Sequence, residues 1–288
     1  MTAQPALEII ADRDPDAARP GVRMQRSFGT GRIVAKSAPD GATRLQTLYQ
    51  EGSARIRLPN SHSNGRLEAV LLNTSGGMTG GDRMSWNCEA GPGTHLTLAS
   101  QTAERLYRAP QGRAETTIRL DVKEDAALHW LAQETIAFDG AAFSRTIDCD
   151  LSEGASLLVC EPLIFGRGAM NERVRTGTLR DRWTVRQAGR PVHVEALRLN
   201  GAIDDKLQSA AVARGAIAHA SVLLVGPQGE ALEARARAIV GDAGGASYVG
   251  GKLVVRMMAG SALALRRRLV PLLIHLRGGY ALPRCWSV

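Results

Sequence analysis

LLNTSGGMTGGDRMSWNCEAGPGTHLTLASQTAERLYR, residues 71–108, is the stretch that decides the fold. Its opening apolar run, residues 69–72, stops at Asn73. Two glycine pairs follow, Gly76-Gly77 and Gly80-Gly81, and then Asp82. Paired glycines let a backbone take positive φ or pass close to another backbone. The same plan, an apolar strand closed by a polar side chain, recurs at residues 98–101, 131–134 and 159–161. With Asn73, Gln101, Gln133 and Glu161 taken as equivalents, the spacings are 28, 32 and 28 residues.

Between these segments lie other strands, at 83–88, 116–122 and 145–151, punctuated by acidic or glycine turns at 89–93, 123–125 and 152–154. A unit of about 30 residues with two strands and two turns is the signature of stacked coils, because only a neighbouring unit can cover each apolar face. The expected fold is therefore mainly β, a β-helix-like stack of two-layer strands; a sandwich with evenly spaced strands is the alternative. In the stack the four polar residues form a column. Buried polar groups need partners or water, so the column is either an amide ladder or a hydrated internal path. Glu104, Glu134, Asp139 and Glu161 lie close to it in sequence and lean toward the path.

Outward from this centre, residues 1–22 are rich in Ala, Asp, Arg and Pro and read as a flexible leader, leaving 23–288 as one domain. Alternation predicts strands at 31–35, 45–49 and 54–58, with a loop at 59–65 that carries His62, and a hairpin from 178–186 and 192–199. Toward the C-terminus come a strand at 216–225, a helix at 230–240 stopped by Gly241, a strand at 252–258, and a last helix capped by Ser261 and bent by Pro271. Two α-helices toward the C-terminus thus accompany the strands.

The 288 residues are 44% hydrophobic, enough for a sizeable core, and the 31 glycines favour short strands and turns. Lys plus Arg exceed Asp plus Glu by 36 to 28, a formal net charge of +8, mostly through arginine. The charges are scattered in sequence, the densest run being Arg266-Arg267-Arg268, and no nucleic-acid motif accompanies them. A solvated basic face or an acidic protein partner fits better than nucleic acid. Cys88, Cys149, Cys160 and Cys285 make no C-x-x-C pair, and no apolar run follows a basic start. The apolar segment 253–276 is broken by Arg256 and the arginine run, so no simple membrane span is expected. The expectation is a cytoplasmic protein with reduced thiols.

The glycine-rich segment 76–82 lacks the Lys-Ser/Thr of a phosphate loop. There is no Gly-x-Ser-x-Gly elbow and no His-Glu-x-x-His, and His62, His95, His129, His193, His219 and His275 are isolated. No tightly bound cofactor is expected. Asp139 and Glu161 are the candidates for a β-helical carbohydrate hydrolase, but no aromatic substrate-binding array accompanies them.

Several motifs, in order along residues 25–288, resemble the urease accessory protein UreD family, called UreH in some systems. They are Leu72-Asn73-Thr74-Ser75-Gly76-Gly77 with Gly80-Gly81-Asp82, and Gln101-Thr102-Ala103-Glu104-Arg105-Leu106-Tyr107-Arg108. Trp130-Leu131-Ala132-Gln133-Glu134-Thr135-Ile136 follows, with Phe138-Asp139-Gly140-Ala141. Then come Gly166-Arg167 with Ala169-Met170, Arg180-Asp181-Arg182-Trp183, and Leu282-Pro283-Arg284 with Trp286. Asn171 departs from the pattern, standing where Gly is expected, and Asn also tolerates positive φ.

The resemblance implies a β-helical, non-catalytic scaffold that binds urease apoprotein and UreF. Through UreF it recruits the nickel-carrying GTPase UreG, and Ni2+ passes transiently through an internal tunnel. On this reading Glu161, Glu134, Asp139 and Asp82 are candidate stations of the nickel path, and Asn73, Gln101, Gln133 and Glu104 candidate tunnel-lining residues. Arg167, Met170 and Glu172 are candidate partner contacts. A docking scaffold without metal passage is the alternative.

Overall fold

The computed structural model describes residues 25–59 and 65–287; the leader, residues 1–22, and His62 lie outside the described residues. The chain winds as a β-solenoid of about four turns. In the first coil β4 (Leu67–Asn73) leads to β5 (Arg83–Ala90). In the second, β6 (His95–Ser100), β7 (Glu104–Leu106) and β8 (Ala114–Val122) follow one another. The third runs through β9 (Ala127–Leu131), β10 (Thr135–Ala137) and β11 (Ala142–Leu151), and the fourth through β12 (Ser156–Phe165) and β13 (Thr176–Gln187).

Coil stacks on coil in parallel: β5, β8, β11 and β13 in one sheet, and β4, β6, β9 and β12 in the other. The short strands β7 and β10 and the end of β12 form a third, narrow side. Further, mostly antiparallel strands finish both sheets. The first gains β1 (Phe28–Ser37), which runs parallel to β5, and then antiparallel β2 (Thr43–Gly52) at one edge, and antiparallel β14 (Arg190–Ala202) at the other. The second gains β3 (Ala54–Arg57) at one edge, and β15 (Ala218–Val225), β17 (Lys252–Ala259) and β16 (Gly244–Val249) at the other.

Period-two alternation explains the layers. One side of each sheet, with Trp86, Leu120, Ile147, Trp183, Leu98, Trp130 and Val159, fills the interior. The other side of the second sheet, with Ala99, Leu131, Leu158 and Cys160, is covered by α2 (Gly229–Val240), α3 (Ala262–Leu276) and buried Trp286. Ser261 caps α3, its Oγ accepting from the Ala264 N–H at 3.1 Å, and the helix continues through Pro271. Both helices expected from the sequence are present; a short α1 (Ile203–Gln208) and the edge strand β16 were not expected.

The glycine pairs are tight passages between coils. A Cβ on Gly80 would lie 2.0 Å from the Gln111 carbonyl oxygen, and one on Gly77, at φ +144°, would lie 2.7 Å from the Arg105 carbonyl oxygen. Gly80→Ala is therefore expected to lower folding stability by about 1–3 kcal/mol through overpacking against backbone. Urea unfolding followed by circular dichroism measures this; an unchanged midpoint would contradict the close-packed turn.

The register corrects the column. Leu71 pairs with Ser100, Ala99 with Leu131, and Leu131 with Cys160. Continued by one or two residues, the ladders keep Gln101 level with Gln133 but set Asn73 level with Thr102 and Glu161 level with Ala132. A one-residue offset turns a side chain to the opposite face of a sheet. The four residues therefore do not form one column. Asn73 and Glu161 turn to the interior side, and Gln101 and Gln133 to the outer side.

Candidate functional site

Most inward positions of the coils are apolar, and the largest group of charged exceptions gathers around Arg145. In β11 the inward series is Phe143, Arg145, Ile147, Cys149 and Leu151; in β13 it is Leu179, Asp181, Trp183 and Val185. Arg145 and Asp181 are neighbours on the parallel ladder. Glu161 reaches Arg145 from β12, across the interior. The Arg145 guanidinium donates to Glu161 and Asp181, and also to Thr135 Oγ1 at 3.3 Å. Two indoles complete the carboxylate shells: Trp130 Nε1 donates to Glu161 at 2.7 Å and Trp183 Nε1 to Asp181 at 2.9 Å. The Arg145 side chain is 6% exposed and that of Glu161 2%.

Burial pushes Glu161 up to about 7, against the attraction of Arg145 and the Trp130 hydrogen bond. Burial opposes the charge on Arg145, but Asp181 and Glu161 outweigh it and raise its pKa. Polarity continues toward the edge of the solenoid. Glu195 accepts from Ser221, lies 3.3 Å from Arg256 and has His193 at 3.5 Å. Burial raises the Glu195 pKa, but these three partners prevail and hold it at about 2. Burial lowers the pKa of nearby His219.

The other residues expected at the site are distributed elsewhere. Glu134 is on the outer side, in an ion pair with Arg266 at 2.8 Å, and Arg266 also donates to Gln133 Oε1 at 3.0 Å. Gln133 Nε2 donates in turn to the Cys285 carbonyl, so this pair fastens the C-terminal segment. Asp139 lies at a turn, 3.3 Å from Arg108 and accepting from the Thr176 N–H at 2.9 Å. Asp82 is buried and accepts from the Ser27 and Thr79 N–H groups, both at 2.8 Å, which makes it the staple of the glycine turn. Gln101 is exposed.

Among the described residues, no three His, Cys, Asp or Glu side chains gather to hold a metal ion. The hydrolase pair is likewise separated, Asp139 pairing with Arg108 at a partly exposed turn and Glu161 with Arg145 in the interior. In the loop of Arg167, Met170 and Glu172, Glu172 takes a bidentate contact from Arg167, at 2.8 and 3.1 Å, while Met170 is 68% exposed. Asn171 adopts φ +49°, the left-handed conformation that a Gly would take there.

Asn73 and Glu104 do meet, at the other end of the interior: Asn73 Nδ2 lies 3.2 Å from both Glu104 oxygens, beside Gly77 and Ser100 in an enclosed cleft. Burial raises the Glu104 pKa to about 7, although the Asn73 amide opposes the shift. The folded state thus holds this proton more tightly than an unfolded chain, whose carboxyl titrates near 4.5. Its contribution to stability is full below pH ~4.5 and is lost as pH rises to about 7. Glu104→Gln is expected to flatten part of the fall in stability across that window, and Asn73→Leu to move the Glu104 titration higher. Denaturation midpoints at several pH values and carboxyl NMR titration measure the two effects.

Sequence reading did not single out Arg145, Asp181 or Glu195 for the site. For Arg145 and Asp181 the signal was there, since each is a charge at the inward phase of an otherwise apolar alternation; Glu195 shares its phase with His193 and is not marked in this way.

Comparison with known proteins agrees over nearly the whole chain. A family model described as UreD urease accessory protein matches residues 29–287. A protein of Agrobacterium fabrum named urease accessory protein UreD is 45% identical over 273 residues, covering 95% of each chain. One of the same name from Mesorhizobium japonicum is 48% identical over 268 residues, 92% of this chain and 95% of the relative. Urease accessory protein UreD 1 of Brucella abortus is 45% identical over 272 residues.

Proposed function

Because the chain belongs to the UreD urease accessory protein family, and so has a role in urease maturation, we propose that it helps Ni2+ reach the urease apoprotein. It does so as a non-catalytic cytoplasmic scaffold working with UreF and the nickel-carrying GTPase UreG. Nickel is cargo here, and a cargo ion needs sites that bind weakly enough to release it. The observation that carries this reading is the Arg145–Glu161–Asp181 network, charged and buried in an interior that is otherwise largely apolar. Carboxylate oxygens suit a divalent cation in transit, and an ion arriving at Glu161 displaces a proton or the Arg145 guanidinium. The polar series continues to Glu195 and Ser221, which supports a path leading outward.

Docking without metal passage is the second reading. It is favoured by the fact that Glu161 and Asp181 are already neutralised by Arg145 and held by indoles. Two variants separate the readings. Glu161→Gln alters the interior, whereas Glu134→Gln alters an ion pair on the outer side. With the accessory complex shown to assemble, passage predicts that urease matured with Glu161→Gln carries less nickel while Glu134→Gln leaves the content unchanged. Full nickel with Glu161→Gln would leave docking as the function.

A further inference from the structure

The structure gathers arginines that the sequence scatters. In the hairpin of β13 and β14, Arg180 stands directly opposite Arg198, and Arg182 lies two residues along on the same outward face. All three are exposed, and among the described residues no ion pair or side-chain hydrogen bond engages them. Like charges directly across a strand pair are unfavourable, so this arrangement gains from an anion brought to it. β14 is also the last strand of its sheet. Lys206 takes the Asn200 carbonyl at its base, and among the described residues no further backbone hydrogen bond reaches the outer edge of residues 192–199. Alternate N–H and C=O groups along that edge are therefore available to another strand. On the inward side of β14, Val192 and Leu197 pack on the core but are only partly buried, while outward Val194 is 60% exposed.

We propose that the β14 edge receives an extended protein segment of alternating acidic and apolar residues, which adds as a further strand. The acidic positions meet Arg198, Arg180 and Arg182, and the apolar positions cover Val192 and Leu197. The backbone supplies attachment and the alternating side chains supply selection. Charge on edge strands also serves to repel other strands. That role predicts no binding and is tested by the same experiment. The inference does not depend on the interior path.

The probe is a fluorescein-labelled octapeptide alternating Glu with Val or Leu, followed by anisotropy with the whole protein. Its binding is expected to weaken roughly tenfold or more in Arg180→Glu/Arg198→Glu, each lost charge-assisted contact being worth about that factor. N-methylation of alternate peptide amides is expected to have a comparable effect. Hydrogen exchange is expected to slow across residues 192–199 when the peptide is bound. Both arginines are exposed, and circular dichroism checks that the variant is folded. The proposal is overturned if the alternating peptide does not bind, if a scrambled peptide of equal charge binds as well, or if a single-stranded oligonucleotide of equal charge does so.

Discussion

Arg145→Ala is expected to lower folding stability by about 3–5 kcal/mol, the usual consequence of removing one partner from a buried ion pair. The guanidinium holds Glu161, Asp181 and Thr135 together from a side chain 6% exposed. Without it two carboxylates stay in the interior, where among the described residues only the Trp130 and Trp183 N–H groups remain to serve them. Glu161, already raised to about 7 by burial, moves higher still and escapes by taking up a proton. The loss should therefore be larger at pH 8 than at pH 5. Denaturant unfolding at the two pH values measures the difference, and a loss that is small at both would mean that the network is hydrated and dispensable.

Trp286→Ala is expected to cost a similar amount, about 3–5 kcal/mol, as for other large aromatic truncations in a core. Trp286 is 3% exposed and lies in the layer between the second sheet and α3. Its Nε1 donates to the Leu131 carbonyl at 3.2 Å. Arg266 donates to the Trp286 carbonyl at 2.8 Å and places its guanidinium 4.8 Å from the ring centre. Truncation leaves a cavity, frees the Leu131 carbonyl and loosens the arginine that also holds Glu134 and Gln133. A thermal melt should show a large downward shift, whereas a shift within error would mean that the C-terminal segment only rests on the sheet.

The stacked coils were legible because each unit repeats an apolar strand and a turn, and because alternation marks strands sharply. The long helices were legible through Ser261 at one start and Gly241 at one end. β16 was missed because Gly244 and Gly245 make an edge strand read as a turn, and α1 because six residues are too short for a helical period to register.

The site was less legible, for two physical reasons. Counting residues between polar positions does not reveal which face a side chain takes, and a slip of one residue at Asn73 and at Glu161 split the supposed column. Asp181 is hard to tell from an ordinary solvated charge in sequence, because Arg180 and Arg182, on either side of it, do face outward. Only the inward phase of Asp181, shared with Leu179, Trp183 and Val185, distinguishes it. The same alternation hid the Arg180, Arg182 and Arg198 face, whose members are close across a hairpin but separated in sequence.

The central claim is that charge inside the solenoid serves nickel. Arg145→Met, Glu161→Gln and Asp181→Asn combined remove that charge together while keeping amide oxygens to accept from Trp130 and Trp183. Replacing every member of a buried charged group at once tends to be close to neutral for folding. The direct measurement is the nickel content of urease matured with this triple variant, after its unfolding midpoint and its assembly with the other accessory proteins have been checked. The account predicts a folded, assembling protein that leaves urease poor in nickel. Urease fully loaded with nickel by that variant would contradict it.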